Sequence, residues 1–470
     1  MDTVEGNAAG TTLRSLDQTY EAKYVRIWVD KPAQDDNEAD PRVRMGRFEF
    51  YAEQDPVTSV DGDRSGVYEG STPGTGSNGP FSETMNLDTA DVDTSIYFGD
   101  KEVDINTWTA EGKNLLIQEM TSRSEEDLDL EISTWVKNDN GQYPTDVTEK
   151  DGQIYVTRQT AKKDTGNEKS YVSEAALTTY VVGADVEEQK ANEAGASAEQ
   201  YVTLPAGGTI YLVTAVGGGG QTYKASDMSL IGDDPVQEAE ELGSAVKDAD
   251  DIAGLCTEHD EWWQDFWTRS YIDLGTEDAN LNKIQSYYYG SLYLLGSALR
   301  EDGLASGLYG NWFTTDNPNW NADYHLNYNF IAAYYGLNST NHSDLTLPAG
   351  QALLDYMEEG LSRGQSTSEL REIVPDELEG LLIQPKIDAG LIDETDGIEG
   401  AALYPVGIGP FGITCDDNYH QEAMNAAYSA YPMMEYYDYT QDKSYLEGGL
   451  YDLLKACGAY YEAWLTKEDT

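Results

Sequence analysis

Residues 306–341 read SGLYGNWFTTDNPNWNADYHLNYNFIAAYYGLNSTN, the densest mixture of Trp, Tyr, Asn, Asp and His in the chain. Inside it, Asp323, Tyr324, His325, Leu326, Asn327, Tyr328, Asn329 and Phe330 alternate strictly between polar and apolar or aromatic. On an extended segment, residues i, i+2 and i+4 share a side. The alternation therefore predicts Asp323, His325, Asn327 and Asn329 facing one cavity, with Tyr324, Leu326, Tyr328 and Phe330 in the core. A half-buried strand with a polar outer face is the other reading of the same pattern. Trp312 and Trp320 stand just upstream. Aromatic rings beside amides and carboxylates suit a sugar, which offers both C–H faces and hydroxyls.

On the C-terminal side the pattern is helical. Ile284, Tyr287, Tyr288, Leu292, Leu295, Ala298 and Leu299 trace a 3.6-residue stripe. Leu353, Leu354, Met357 and Leu361 trace a second, and Met424, Ala427, Tyr428, Tyr431 and Met434 a third. A fourth runs from Leu446 to Trp464, and the short polar link between the last two predicts an antiparallel pair. Residues 364–420 are rich in Gly and Pro and weakly periodic; long loops in a packed domain are commonly functional. They end in a second polar cluster, Asp416, Asp417, His420, Gln421, placed before a helix that Glu422 is expected to begin.

On the N-terminal side the period is two. SIYFGD, KNLLIQEMTSR, LDLEISTWVK, GQIYVTRQT, SYVSEAALTTYVV, EQYVTLP and GTIYLVTAVGG, between residues 94 and 217, are short runs broken by polar turns. They predict an antiparallel β-sandwich over 94–233, with residues 185–198 as a surface loop. The acidic, Ala-rich stretch 234–261 reads as connecting helices. Residues 56–93, rich in Gly, Ser, Thr, Pro and Asp, read as a linker.

The 470 residues suffice for two or three domains, and 39% hydrophobic residues exclude a disordered composition. There are 86 acidic and 29 basic residues, a formal net charge of −57, spread along the whole chain. Nucleic acid and anionic membrane surfaces need a basic footprint and are excluded as partners. The dispersed charge hydrates the surface and leaves the source open. Cys256, Cys415 and Cys457 are far apart, with no CxxC, so neither a disulfide framework nor a zinc site is expected. No metal or cofactor is predicted. No apolar run approaches about 18 residues, so no membrane span is expected, and no signal peptide is visible at the N-terminus.

The segment GNWFTTDNPNWNADYHLNYN (310–329) resembles the GxWN…NPxWxxDYHxNxN segment of the inverting α-L-fucosidases of glycoside hydrolase family 95. Upstream, FWTRSYIDL (266–274) is similar to the FWxRSxIxL start of that family's catalytic barrel. KYVRIWVD and RVRMGRFEFYAE, within residues 1–55, resemble the last strands of a discoidin-like (coagulation factor type C) domain, too short here to be the whole of it. The resemblance implies a β-sandwich followed by an (α/α)6 toroid, a fold of about twelve helices. The stripes over 262–470 make about half that number, so the first half of the toroid is expected.

The resemblance also implies an oligosaccharide or glycan substrate and an extracellular or cell-surface location. It implies a Glu that donates the proton and an Asp that acts through two asparagine amides. It places those amides at Asn327 and Asn329, and both carboxyls beyond Thr470. The 470-residue chain alone is then expected to be inactive, with one apolar helix layer uncovered. Asn329 as cap of the following helix is the competing reading. Trp312, Trp320, Asp323, His325, His420 and Gln421 are the expected substrate contacts. His325 is expected to bond a sugar hydroxyl or a neighbour rather than act as a base. Ile331, Tyr335, Gly336 and Asn338 stand where the fucosidases carry Gln, Trp-Pro and an acidic residue, which leaves the sugar open.

Two other function classes compete. A non-catalytic carbohydrate-binding protein would use the same cleft. A phosphorylase would need basic residues in a phosphate pocket, and residues 306–341 contain no Arg or Lys.

Overall fold

The computed structural model describes residues 81–98, 101–136, 143–160, 171–192, 196–219, 223–224, 232–275, 278–311, 315, 318–374, 376–416 and 422–465. The chain divides into two units, residues 1–62 and 63–470, and every described residue lies in the second. The discoidin-like segment 1–55 is outside the described residues.

Thirteen strands come first among the described residues: β1 (Phe81–Asn86), β2 (Asp91–Phe98), β3 (Lys101–Thr109), β4 (Leu115–Ser122), β5 (Leu128–Trp135), β6 (Thr145–Lys150), β7 (Gln153–Gln159), β8 (Tyr171–Val172), β9 (Glu174–Val182), β10 (Val186–Asn192), β11 (Ser197–Leu204), β12 (Thr209–Gly218) and β13 (Tyr223–Lys224). An eight-stranded antiparallel sheet has the order β1-β2-β3-β4-β12-β9-β7-β6, and a three-stranded sheet the order β10-β11-β5. The two share a core: Leu128, Val202 and Leu204 from the smaller meet Val103, Ile210 and Leu212 from the larger.

Two sequence readings change here. The sheet starts at Phe81, inside the stretch read as a linker, because β1 and β2 pair as a hairpin from Phe81↔Ile96 to Asn86↔Asp91. The stretch read as a loop, 185–198, contains strand β10, paired with β11 along its length. Its polarity reflects an edge strand facing water, not missing structure.

Helix α1 (Pro235–Ser244) lies on the large sheet. Asp234 caps it by accepting from the backbone N–H of Val236 and Gln237, and Pro235 occupies its first turn. Ala239 of α1 joins a cluster with Ile117, Tyr155, Val213 and Ala215. Gly217 in β12 makes this docking possible, since a Cβ there would approach the Pro235 carbonyl oxygen and Ala239 N at 2.6 Å or less. The buried run Ile154–Thr157 in β7 follows: one face meets β11, the other the α1 layer.

Helix α2 (Ala249–Thr268) crosses residue 262, where the sequence reading divided connector from catalytic region. Ile252 packs with the sheet cluster, and Trp263 and Phe266 with the helical one. Buried His259 ties α2 to the sheet through the Thr109 carbonyl at 2.8 Å and the Thr89 carbonyl at 2.6 Å. In the FWTRS motif, Phe266 is core, and Arg269 Nη1 donates to both carboxylate oxygens of Asp344 at 2.9 and 2.8 Å.

Beyond α3 (Ala279–Ala298) come β14 (Tyr324–His325), α4 (Asn329–Ala332), α5 (Leu347–Asp355), α6 (Met357–Gly364), α7 (Thr367–Glu372), α8 (Asp376–Leu382), α9 (Gln384–Asp388), β15 (Gly407–Ile408), β16 (Thr414–Asp416), α10 (Asn425–Ser429), α11 (Tyr431–Thr440), α12 (Lys443–Tyr445) and α13 (Tyr451–Trp464). The expected stripes are only partly buried, with Ile284 and Tyr287 of the first and Met424, Tyr431 and Met434 of the third exposed, and three of them are broken. The second divides at Tyr356, the third at Ala430, and the fourth passes through a π-type turn, Leu446–Leu450. Gly449 in that turn has φ 147° and faces Leu354, where a Cβ would collide at 2.8 Å. The irregular stretch 364–420 folds partly into α7, α8 and α9. Tyr431, Met434 and Tyr439 on α11 and Tyr451 on α13 are exposed apolar side chains. No described helix is long and apolar enough to cross a membrane.

Candidate active site

β14, β15 and β16 form a small antiparallel sheet, with Tyr324↔Ile408, His325↔Gly407 and Gly407↔Asp416 as partners. Leu326 N continues the pairing by donating to the Val406 carbonyl at 2.7 Å. This sheet holds the start of the alternating segment inside the helical core, where Tyr324, Leu326, Phe330 and Ile408 are all buried.

Asp323 and His325 share a side, as two residues apart on a strand must. The His325 Nδ1 and Asp323 Oδ1 are 3.0 Å apart, and both side chains are buried. The other Asp323 oxygen, Oδ2, is buried without a hydrogen-bond partner. Its niche exists because residue 407 is glycine: a Cβ there would come within 1.9 Å of Oδ2. Burial pushes the Asp323 carboxyl up to about 6, against the pull of His325 and with a further push from Asp416. Trp320, 54% exposed, lies over His325 with ring centroids 5.6 Å apart. Trp320, Asn321 and Ala322 all have φ near +50°, a run of left-handed residues that throws the indole outward.

The alternation stops after Leu326. Residues 326–328 turn, and Asn329 opens α4. Phe330, Ile331, Tyr334 and Leu337 are buried, so a helical period overrides the period of two. Tyr328, expected in the core, is 55% exposed. Asn329 is exposed and does not share a strand side with Asn327. Nor does it cap α4, whose cap position is Tyr328 without a side-chain bond.

Asn327 is half-buried, and its Nδ2 donates to Oε1 of Glu422 at 3.3 Å. Glu422 was expected to begin a helix; α10 starts only at Asn425, and Glu422 lies in the segment before it. Sequence spacing gave no signal for this pairing, since the resemblance placed both carboxyls elsewhere and residues 327 and 422 are far apart in the chain. Trp312, His420 and Gln421 lie outside the described residues. Among the described residues, no group of three or more His, Cys, Asp or Glu is placed to hold a metal ion.

A separate concavity of about 490 Å³ is lined by Tyr335, Ala427, Tyr428, Tyr431, Met434 and Glu435. None of the residues singled out from the alternating segment lines it.

Residues 257–470 match the family model described as the glycosyl hydrolase family 95 catalytic domain. "Probable alpha-fucosidase A" of Aspergillus niger (strain ATCC MYA-4892 / CBS 513.88 / FGSC A1513) is 25% identical over 178 residues, 38% of this chain and 19% of that protein. The aligned stretch therefore spans about a fifth of that relative. Both findings support glycoside hydrolase family 95 for the helical part of the chain. Among solved structures, the "Putative kojibiose phosphorylase from human microbiome" has a TM-score of 0.49 at 12% identity, over 82% of this chain and 45% of that one. A bacterial glucoamylase complexed with acarbose has a TM-score of 0.35 at 13% identity, over 81% and 57%.

Proposed function

We propose that this chain carries the first part of an inverting exo-glycosidase, α-L-fucosidase-like, acting outside the cell on an oligosaccharide or glycan. On this reading the two sheets form a sandwich in front of the first half of an (α/α)6 toroid. The observation that carries it is Asn327, in the DYHLNYN segment, with its amide held by a carboxylate. Inversion needs a water activated on the face opposite the leaving group, with the two carboxyls about 6.5–9.5 Å apart. An amide oriented by a carboxylate presents its carbonyl oxygen to such a water.

The test is a panel of nitrophenyl glycosides given to the 470-residue chain and to a longer version that continues past Thr470. The expected result is turnover of one α-linked sugar with inverted product, faster in the longer chain. No turnover by either removes the reading. Exposed Trp320 over His325 favours one alternative, carbohydrate binding without catalysis. That alternative predicts saturable sugar binding with no product from either chain.

A further inference from the structure

The third apolar stripe does not close into core. Four of its members, Ala427, Tyr428, Tyr431 and Met434, line the concavity of about 490 Å³ together with Tyr335 and Glu435. Tyr428 at the end of α10 and Tyr431, Met434 and Glu435 on α11 follow one another at three or four residues, so they share a side. Tyr335, just past α4, supplies the facing wall. Its ring stands at 81° to that of Tyr431, with centroids 5.8 Å apart, so the two make a corner. Tyr431 and Met434 are both exposed, which opens the corner to solvent.

The polar groups of this lining are spent on one another. The Tyr335 and Tyr428 hydroxyls are 3.2 Å apart, and Tyr431 Oη donates to Oε1 of Glu435 at 2.8 Å. A sugar needs polar atoms aimed at its hydroxyls and finds few here. What remains is aromatic ring faces, a polarisable sulfur and one negative charge. No Lys or Arg lines the cavity. Oε2 of Glu435 is buried without a hydrogen-bond partner. Such a carboxylate attracts a nearby cation through space, without touching it. The rings attract the same cation through their quadrupoles. A cation that carries methyl groups in place of N–H donors asks for no hydrogen bond, and its methyls suit rings and thioether.

We propose that this concavity binds a quaternary ammonium group of the choline type. The rings of Tyr335, Tyr428 and Tyr431 face its methyls, and Glu435 supplies the counter-charge. The site goes beyond the glycosidase reading and stands without it. The net charge of −57 draws every cation towards the chain; the rings and Glu435 select this one.

The experiment is an NMR titration of the choline methyl signal with the 470-residue chain at fixed ionic strength. Saturable, millimolar binding is expected. Dimethylbutanol, the uncharged carbon isostere of choline, should bind at least about tenfold more weakly. Glu435→Gln keeps the acceptor for Tyr431 and should weaken choline about three- to tenfold. Glu83→Gln, on β1 and outside the lining, removes the same charge and should change nothing. Tyr431→Leu should weaken choline about tenfold, while Tyr431→Phe keeps the ring and should stay within about threefold. Circular dichroism checks that each variant is folded. Phosphatidylcholine vesicles distinguish the source: cosedimentation assigns the group to a lipid headgroup, and its absence to a soluble molecule. An isostere that binds as tightly as choline overturns the inference. Equal weakening by Glu435→Gln and Glu83→Gln also overturns it, leaving only the general pull of an acidic chain on cations. So does an absence of saturable binding. Displacement of choline by a neutral monosaccharide overturns it too, and makes the cavity a sugar subsite.

Discussion

Nδ1 of His325 lies 3.0 Å from Oδ1 of Asp323, in a niche where the Asp323 side chain has no exposure to solvent. Two residues apart on a short strand, they form a pair that the chain cannot hydrate.

The first prediction is a pH dependence of stability. The Asp323 carboxyl is raised to about 6, above its unfolded value of about 3.9. Between those values the native state binds the extra proton, so stability falls as pH rises through about 4 to 6. Asp323→Asn should remove that fall, up to about 2–3 kcal/mol across the window. Urea unfolding at several pH values reads it. Parallel slopes for wild type and variant would show that Asp323 does not titrate there.

Gly407 should tolerate no side chain. Gly407→Ala puts a Cβ within 1.9 Å of Asp323 Oδ2 and 2.8 Å of the Asp416 Cβ. The expected loss is about 1–3 kcal/mol. Gly254→Ala on α2, where a Cβ meets nothing within 4 Å, should instead gain about 0.5–1 kcal/mol. Melting temperatures of the two variants should move in opposite directions.

The two asparagines should separate in function. Asn327 is bonded to Glu422, while Asn329 is exposed at the start of α4. Asn327→Ala is expected to cost about 10²-fold or more in kcat. Asn329→Ala should cost less than about tenfold, because no strand aims it beside Asn327. Equal losses, measured on the same aryl glycoside, would restore the paired-amide arrangement that the alternation suggested.

Lys386 should anchor the end of α13. Its Nζ donates to the Ala463 and Trp464 carbonyls at 3.1 and 2.5 Å, a cation at a helix C-terminus. Burial pulls its pKa below the usual lysine value. Lys386→Met leaves those carbonyls without their donor and should cost about 1–3 kcal/mol. Hydrogen exchange should quicken over the last turn of α13 while β12 is unaffected; uniform quickening would mean global loosening instead.

The sequence by itself determined the order of strands then helices, because periods of 2 and 3.6 are local properties of side-chain spacing. It determined the apolar stripes only in part: Leu292, Leu353, Leu453 and Tyr460 are buried, while Ile284, Tyr287, Met424, Tyr431 and Met434, read into the same stripes, are exposed. The pairing of Asp323 with His325 was legible for the same reason, since residues two apart on a strand share a side. Only the tertiary structure decided where the alternation ends. Phe330, Ile331, Tyr334 and Leu337 satisfy a helical period that overlaps the alternating one, and burying them turned Asn329 out to solvent. Only the tertiary structure chose Glu422 as the partner of Asn327 and Gly407 as the gap that admits Asp323. Those contacts join residues more than 80 positions apart, and nothing in local spacing specifies which distant carboxylate or glycine the packed core will bring to a given amide.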